Sequence, residues 1–433
     1  MSTSNKGALR ILISPNAFKN GLDAGEAASA IEKGLVSSRL RCVCERHPIG
    51  DGGDGTGDLI IKRSGGVKIE VPVHDPLGRP IRASYGLIDK GMTAVIEMVD
   101  ASGLRLLSTS ELNPLRTSSY GTGELIKAAL DKGVRKIIIG MGGSATVDGG
   151  SGILEALGVR FLDSRGEILP SLASQSAMSV PVDRVVESGT AVGAGQTGPA
   201  DRVAPSGMAV REDKAVLPET LAGLASIDVA GIDPRVQACE FIVLCDVENR
   251  LLGPDGAAAV FGPQKGAGPE DLPKLEAALT RYAEIAGQMT GRELSLLKHG
   301  GTAGGAAAGL YAFLQARLVN GIDYFLEFTG FEKALEQTDL IITGEGSIDE
   351  QTLQGKGPYG VASRAKARGI PVIGLAGRVP LEKSSGLQQY FDTLLAIGNE
   401  PTDIPAAIRR TAPNLQRMAE ELGNLLAIGG GIG

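Results

Sequence analysis

Short apolar runs, each closed by a polar turn rich in glycine, recur along the chain. Leu9 to Ser14 runs into SPNAFKNGLDA, which reads as a buried strand, a turn and then a helix from about Asp23 to Leu35. A second strand, about Cys42 to Pro48, ends in IGDGGDGTGDLI, where glycines interleave with Asp51 and Asp54 ahead of another helix. The same grammar returns late in the chain. DLIIT at 339–343 leads into GEGSIDEQTLQGKGPYGVASRAKARG, PVIGLA at 371–376 into GRVP, and DTLLAI at 392–397 into a final helix around 404–428. Strands alternating with helices predict a parallel sheet with helices on both faces.

The middle of the chain has a different rhythm. VKIEVPVHDPLGRPIRASYGLI and MTAVIEM alternate with turn signals, as antiparallel or mixed strands do. A helix at about 122–133, a strand KIIIGMGG and a strand FIVLCDV at 241–247 follow. The predicted fold class is α/β with two domains. A Rossmann-like parallel-sheet domain at 1–64 and 300–433 is interrupted by an inserted mixed α/β domain at 65–299. Within the latter, 171–218 is rich in Ser, Gly, Pro and Ala, and reads as a flexible surface insertion. DRVVESGTAV (183–192) and DRVAPSGMAV (201–210) share a short pattern inside it.

Two domains suit 433 residues, and 42% hydrophobic with 21% charged residues suits buried cores. A net charge of −7, no long basic run and no tryptophan argue against a nucleic-acid or anionic-membrane partner. Cys42, Cys44, Cys239 and Cys245 have neither disulfide-framework nor zinc-site spacing, and read as reduced thiols. MSTSNKGALR has no apolar signal region, and no segment reaches transmembrane length, so a cytoplasmic enzyme is expected.

The strongest chemical signal is GMGGSATVDGGSGILEAL at 140–157. A strand enters a glycine-rich loop and then a helix, so Gly142, Gly143, Ser144, Thr146, Gly149 and Gly150 could turn several N–H groups toward one anion. Asp148 is placed to hold Mg²⁺ on phosphate oxygens, and Asp51 with Asp54 forms a second candidate metal or phosphate turn. The loop lacks GK[ST], so it is no Walker A, and it is no GxGxxG fingerprint. Lys19 follows a strand end, where a point charge neutralises phosphate or carboxylate. Asp246, at the end of FIVLCDV, could accept a hydroxyl proton in phosphoryl transfer, and Gln264 and Lys265 offer polar groups further on. Glu345, Asp349 and Lys356 follow another strand, and the three histidines show no catalytic grouping.

With these residues assembled, the chain resembles the bacterial glycerate kinase family, nearly end to end. The resemblance is carried in order by SPNAFKNGL, GDGGDGTGDLI, VIEMVDASGL, NPLRTSSYGTGELI, GMGGSATVDGG, CDVENRLLGPDGAAAVFGPQKGA, GGTAGGAAAGL and TGEGSIDEQTLQGKGPYGVA. It implies dependence on ATP and Mg²⁺, glycerate as substrate, 2-phosphoglycerate as product, and an active site between two domains. Asn16, Ala17, Val147, Arg250 and Ser347 depart from the family pattern, where Asp, Ser, Asn, Pro and Arg are usual. Other readings are a kinase for another small hydroxy acid, a nucleotide-dependent oxidoreductase without the expected fingerprint, and a non-catalytic anion-binding protein. Oligomeric state, a homo-oligomer included, is not legible.

Overall fold

The apolar runs become two sheets. The computed structural model describes residues 8–169, 216–382 and 385–431. Thirteen described strands are β1 (Leu9–Pro15), β2 (Cys42–Arg46), β3 (Val67–His74), β4 (Pro80–Ile88), β5 (Thr93–Glu97), β6 (Lys136–Gly140), β7 (Arg160–Leu162), β8 (Ser226–Asp228), β9 (Glu240–Cys245), β10 (Arg317–Asn320), β11 (Leu340–Ser347), β12 (Val372–Arg378) and β13 (Thr393–Ala396). One sheet has five strands in the order β13-β12-β11-β1-β2, all parallel. The other has six, in the order β10-β9-β6-β5-β4-β3, parallel except that β4 runs antiparallel to both its neighbours, β3 and β5. The fold is therefore mixed α/β. β7 and β8 form a small separate pair.

Side-chain alternation sorts the core into layers. In the parallel sheet, Ile11, Ile13, Ile342 and Leu375 face the helix Ala24–Ser37 and the C-terminal helix. Leu12, Ile341 and Val372 face the opposite way, toward Ile322, Phe325 and Val361. That second layer also takes Val95, Ile138, Ile242 and Leu244 from the six-stranded sheet, so both sheets share one apolar layer. The other face of the six-stranded sheet packs Ala94, Ile96, Ile137, Ile139, Phe241 and Val243 against Leu125, Ile153 and Leu279.

The structure bears on three expectations. β10 pairs with β9, and Ala306–Leu314 packs into the core of the six-stranded sheet, so a boundary at 300 cuts through that layer. The chain changes sheets after Asn320 instead. The helix Thr56–Arg63 packs Ile61 against Gly86 of β4, in the apolar layer that both sheets share. The single helix expected at 404–428 is two, Ile404–Arg409 and Thr411–Gly431. Pro413 has no N–H to return to the Arg409 carbonyl, and the helix restarts around it. The repeat at 183–210 lies outside the described residues. The flanking chain is anchored: Leu169 N–H bonds the Phe161 carbonyl at 2.9 Å, and Val216 N–H bonds the buried Glu155 carboxylate. No described helix is long and apolar enough to cross a membrane.

Candidate active site

Parallel strands bring their carboxyl ends to one level, and both sheets point those ends at the same place. In one sheet Pro15 lies level with Gly344, so Asn16 and Glu345 emerge side by side. In the other, Glu97 is level with Gly140, and Gly140 with Leu244, so the loop after β6 emerges beside Asp246. The turn Gly50–Thr56 bridges them. Gly52, at φ +95, tucks under β9, where a Cβ would lie 2.9 Å from the Leu244 carbonyl oxygen. Only glycine combines that conformation with that approach. Its own carbonyl accepts from Met141 and Gly142 N–H at 3.2 and 3.1 Å.

Asp51 is the hub. Its Oδ2 accepts from Asn16 Nδ2 at 2.8 Å and from Gly357 N–H at 3.2 Å, and its Oδ1 from Gly53 N–H at 3.3 Å. The neutral Asn16 amide therefore donates to a carboxylate, which an aspartate at that position would repel. Burial, then the charge of Asp51, pushes the Asp246 carboxyl from 3.8 up to about 6, against the pull of Lys19 and Lys265. Burial and Asp51 likewise push Glu345 up to about 7, opposed by Lys356 and a bond from Thr352 Oγ1. Lys19 and Lys356 make no side-chain hydrogen bond or ion pair with any described residue, and the Asp246 carboxylate bonds only its own backbone N–H. The structure thus gathers half-buried carboxylates with lysines that form no close ion pair at the strand ends, which suits an anionic ligand.

Other predicted residues have internal duties. The glycine-rich loop does cradle an anion, but that anion is Asp148. Ser119 N–H and Oγ–H donate to its Oδ2 at 2.8 and 2.7 Å, and Gly150 N–H to its Oδ1 at 3.0 Å. Asp148 is fully buried, and these bonds remove it from the expected metal set. Gly142, Ala145 and Gly149 N–H bond the carbonyls of Gly52, Ser102 and Gly304. Of the expected phosphate contacts, only Gly143 is exposed, while Gly142, Ser144, Thr146, Gly149 and Gly150 are buried. Asp54 is exposed and paired with Arg105 at 3.3 Å, apart from Asp51. Asp349 caps the short helix Glu350–Gln354, accepting from Gln351 N–H at 3.0 Å, which answers the orphan amide there rather than a substrate. Among the described residues no three His, Cys, Asp or Glu side chains are gathered to hold a metal by themselves.

Of two further residues of the site, Lys265 was expected only as a nearby polar group and Glu97 was not singled out. Lys265 is buried, and its Nζ donates to Ser144 Oγ and the Thr146 carbonyl at 2.9 and 2.8 Å. Glu97 is buried at the end of β5, where its Oε1 accepts from Gly55 and Gly57 N–H at 2.8 and 3.1 Å and so shapes the Asp51 turn. Its signal in the sequence was a lone carboxylate in the apolar run AVIEMV. Burial, with Asp58, Asp100 and Asp54 nearby, pushes Glu97 from 4.5 up to about 8. A raised carboxyl favours folding while protonated, so its stabilisation is full below about pH 4.5 and is lost as pH climbs through about 8. Glu97→Gln keeps the acceptor and cannot ionise. Melting curves should show the variant gaining on the wild type by on the order of 1–3 kcal/mol between about pH 5 and pH 9. Parallel pH dependence of the two proteins would contradict the shift.

Carboxylates and lysines brought together at the carboxyl ends of parallel strands suit an enzyme that handles a small anion. The chain belongs to the glycerate kinase family, whose family model matches residues 11–185 and 207–427 and leaves 186–206 unmatched. It is 40% identical over 414 residues to a glycerate kinase of Bacillus subtilis (strain 168), covering 96% of this chain and 97% of that one. It is 36% identical over 425 residues to the glycerate 2-kinase of Escherichia coli (strain K12), covering 97% and 99%. A crystal structure assigned as a glycerate kinase 2 from Salmonella typhimurium LT2 superposes with a TM-score of 0.73 at 38% identity, covering 98% of this chain and 99% of that one.

Proposed function

We propose that the chain transfers the γ-phosphoryl group of ATP to the C2 hydroxyl of glycerate, giving 2-phosphoglycerate and ADP. Family membership supports the reaction class, and one observation supports the site. Asp246 stands just past the end of β9, its carboxylate held among the described residues only by its own backbone N–H, and it faces Asp51, Lys19 and Lys265. A carboxylate near 6 can accept a hydroxyl proton, or orient the hydroxyl, around neutral pH. Lys19 and Lys356 neutralise the glycerate carboxylate and the phosphates, which is most of what a loose phosphoryl-transfer transition state needs. The exposed Gly143, beside Ser144, is the part of the glycine-rich loop available to the triphosphate.

A divalent cation fits the residues present. Asp51 and Glu345 face each other, and after burial it is the charge of Asp51 that raises Glu345, a repulsion that a cation would relieve. Mg²⁺ characteristically takes one or two carboxylates and completes its shell with phosphate oxygens and water. Bound there, it would neutralise phosphate charge.

The two sheets are read as two domains, 1 to about 50 with about 321–433, and about 51–320. Both crossings meet at the site, since a Cβ on Gly321 would lie 2.1 Å from the Asp51 carbonyl oxygen. The unmatched 186–206 supports reading the surrounding segment as an insertion. Replacing 175–215 with a short Gly-Ser linker should leave melting temperature and most turnover intact. Loss of soluble protein, or collapse of turnover at unchanged stability, would refute this.

Asn16 and Ser347 leave the opening with fewer charges than the family pattern, so acceptor range is part of the test. ADP release should be measured with ATP alone, with glycerate, and with tartronate or another small hydroxy acid. Glycerate-dependent release is expected. Release that depends only on a different acid moves the reading to that substrate, and none with any acid overturns kinase activity.

A further inference from the structure

The turn at 298–305 places residues with side chains where glycine is the ordinary occupant. His299 (φ +68) and Ala303 (φ +54) join Gly304 and Gly305 in left-handed backbone. His299 is also buried. A buried histidine kept in a strained conformation points to something that its ring supplies and a glycine would not.

What the ring supplies is a hydrogen bond beside the proposed base. His299 Nδ1 lies 2.6 Å from the Val247 carbonyl oxygen. A carbonyl can only accept, so Nδ1 carries the hydrogen and donates. Val247 opens a stretch, 247–250, that has no helix or strand of its own. The turn runs along that stretch. His299 N–H donates to the Glu248 carbonyl at 3.4 Å, and Gly301 N–H to the Asn249 carbonyl at 2.9 Å. A Cβ on Gly301 would lie 2.3 Å from the Arg250 carbonyl oxygen. Of these bonds, the one from the ring is nearest Asp246 along the chain.

Asp246 is therefore bracketed. On one side Cys245 ends β9, level with Asn320 of β10. On the other side the ring pins Val247. The far end of the same turn meets the glycine-rich loop, where Gly149 N–H donates to the Gly304 carbonyl at 3.0 Å.

We propose that His299 is a positioning residue for phosphoryl transfer: through Nδ1–H and the Val247 carbonyl it fixes the backbone that aims Asp246. The proposal rests on the reading of Asp246 given above, and the experiment separates the two.

Three substitutions divide the side chain into its parts. His299→Gly relieves the backbone and removes the ring. His299→Asn tolerates left-handed backbone and carries a donor near the place of Nδ1. His299→Gln reaches instead toward the place of Nε2 and leaves Nδ1 unreplaced. Steady-state kinetics and melting temperatures would be compared for these, for wild type, for Asp246→Asn and for the His299→Gly/Asp246→Asn double variant. His299→Gly and His299→Gln should fold and lower kcat by ~10–100-fold, with KM for ATP within ~3-fold of wild type. His299→Asn should recover kcat to within ~3-fold. In the Asp246→Asn background, His299→Gly should cost less than ~3-fold further, because the group it aims is already gone.

Wild-type kcat in His299→Gly overturns the proposal, as does an undiminished loss in the Asp246→Asn background. Recovery by glutamine but not by asparagine also overturns it, since the work would then belong to Nε2. Failure of both the glycine and the glutamine variants to fold makes the ring a folding requirement and overturns it as well. Normal turnover of Asp246→Asn alone removes the reading of Asp246, and the proposal with it, whatever the His299 variants do.

Discussion

Asp246→Asn is expected to lower kcat by ~10²–10⁴-fold while leaving the affinity for ATP within a few-fold of wild type. Asparagine matches the shape of aspartate and keeps an acceptor oxygen, but it cannot take a proton or carry charge. The position is set by β9, whose residues Phe241 to Cys245 are buried, so the substitution should leave the fold intact. Wild-type activity should rise with pH through about 6, because the carboxyl held there is inactive while protonated. The variant should lose that limb. Wild-type kcat in Asp246→Asn would remove the assignment. Asp51 would then be the next carboxylate to test, since Asp349 is engaged as a helix cap.

The second large effect is expected at the lysines. Lys19→Ala and Lys356→Ala should each reduce kcat/KM for glycerate by ~30–1000-fold, the equivalent of about 2–4 kcal/mol of transition-state binding. Neither ammonium forms a close ion pair among the described residues, so each is available to a substrate anion. Lys19 faces Asp246, whereas Lys356 stands at the start of the helix Gly357–Ala367 and faces Glu345. Because Lys19 is exposed and Lys356 half-buried, neither truncation opens a core cavity, and melting temperatures should stay near wild type. Near-normal kinetics in both variants would mean that the anion binds elsewhere.

Much of this was legible from the pattern of apolar runs. Strands buried on both faces read as continuous hydrophobic stretches, and those at Leu9, Lys136, Phe241, Leu340 and Val372 were visible for that reason. Ligands favour the carboxyl ends of such strands, so Asp246, Lys19 and Lys356 were also within reach of sequence reasoning. The rest depended on tertiary partners. The glycine-rich loop advertises an anion site, but nothing local says that the anion is Asp148, because two of its three bonds come from Ser119, outside the loop. Lys265 meets Ser144 across 121 residues of chain, a pairing that no periodicity encodes. The sheet boundaries shifted for a related reason: Ala306–Leu314 and β10 are apolar enough to suit either core, and only pairing with β9 decides between them.

The most direct test is phosphorus NMR of the products when the purified chain is incubated with ATP, Mg²⁺ and glycerate. ADP and the resonance of 2-phosphoglycerate, appearing together and only when glycerate is present, are the predicted result. A spectrum with 3-phosphoglycerate alone would contradict the C2 assignment, and unchanged ATP would contradict the proposed reaction itself.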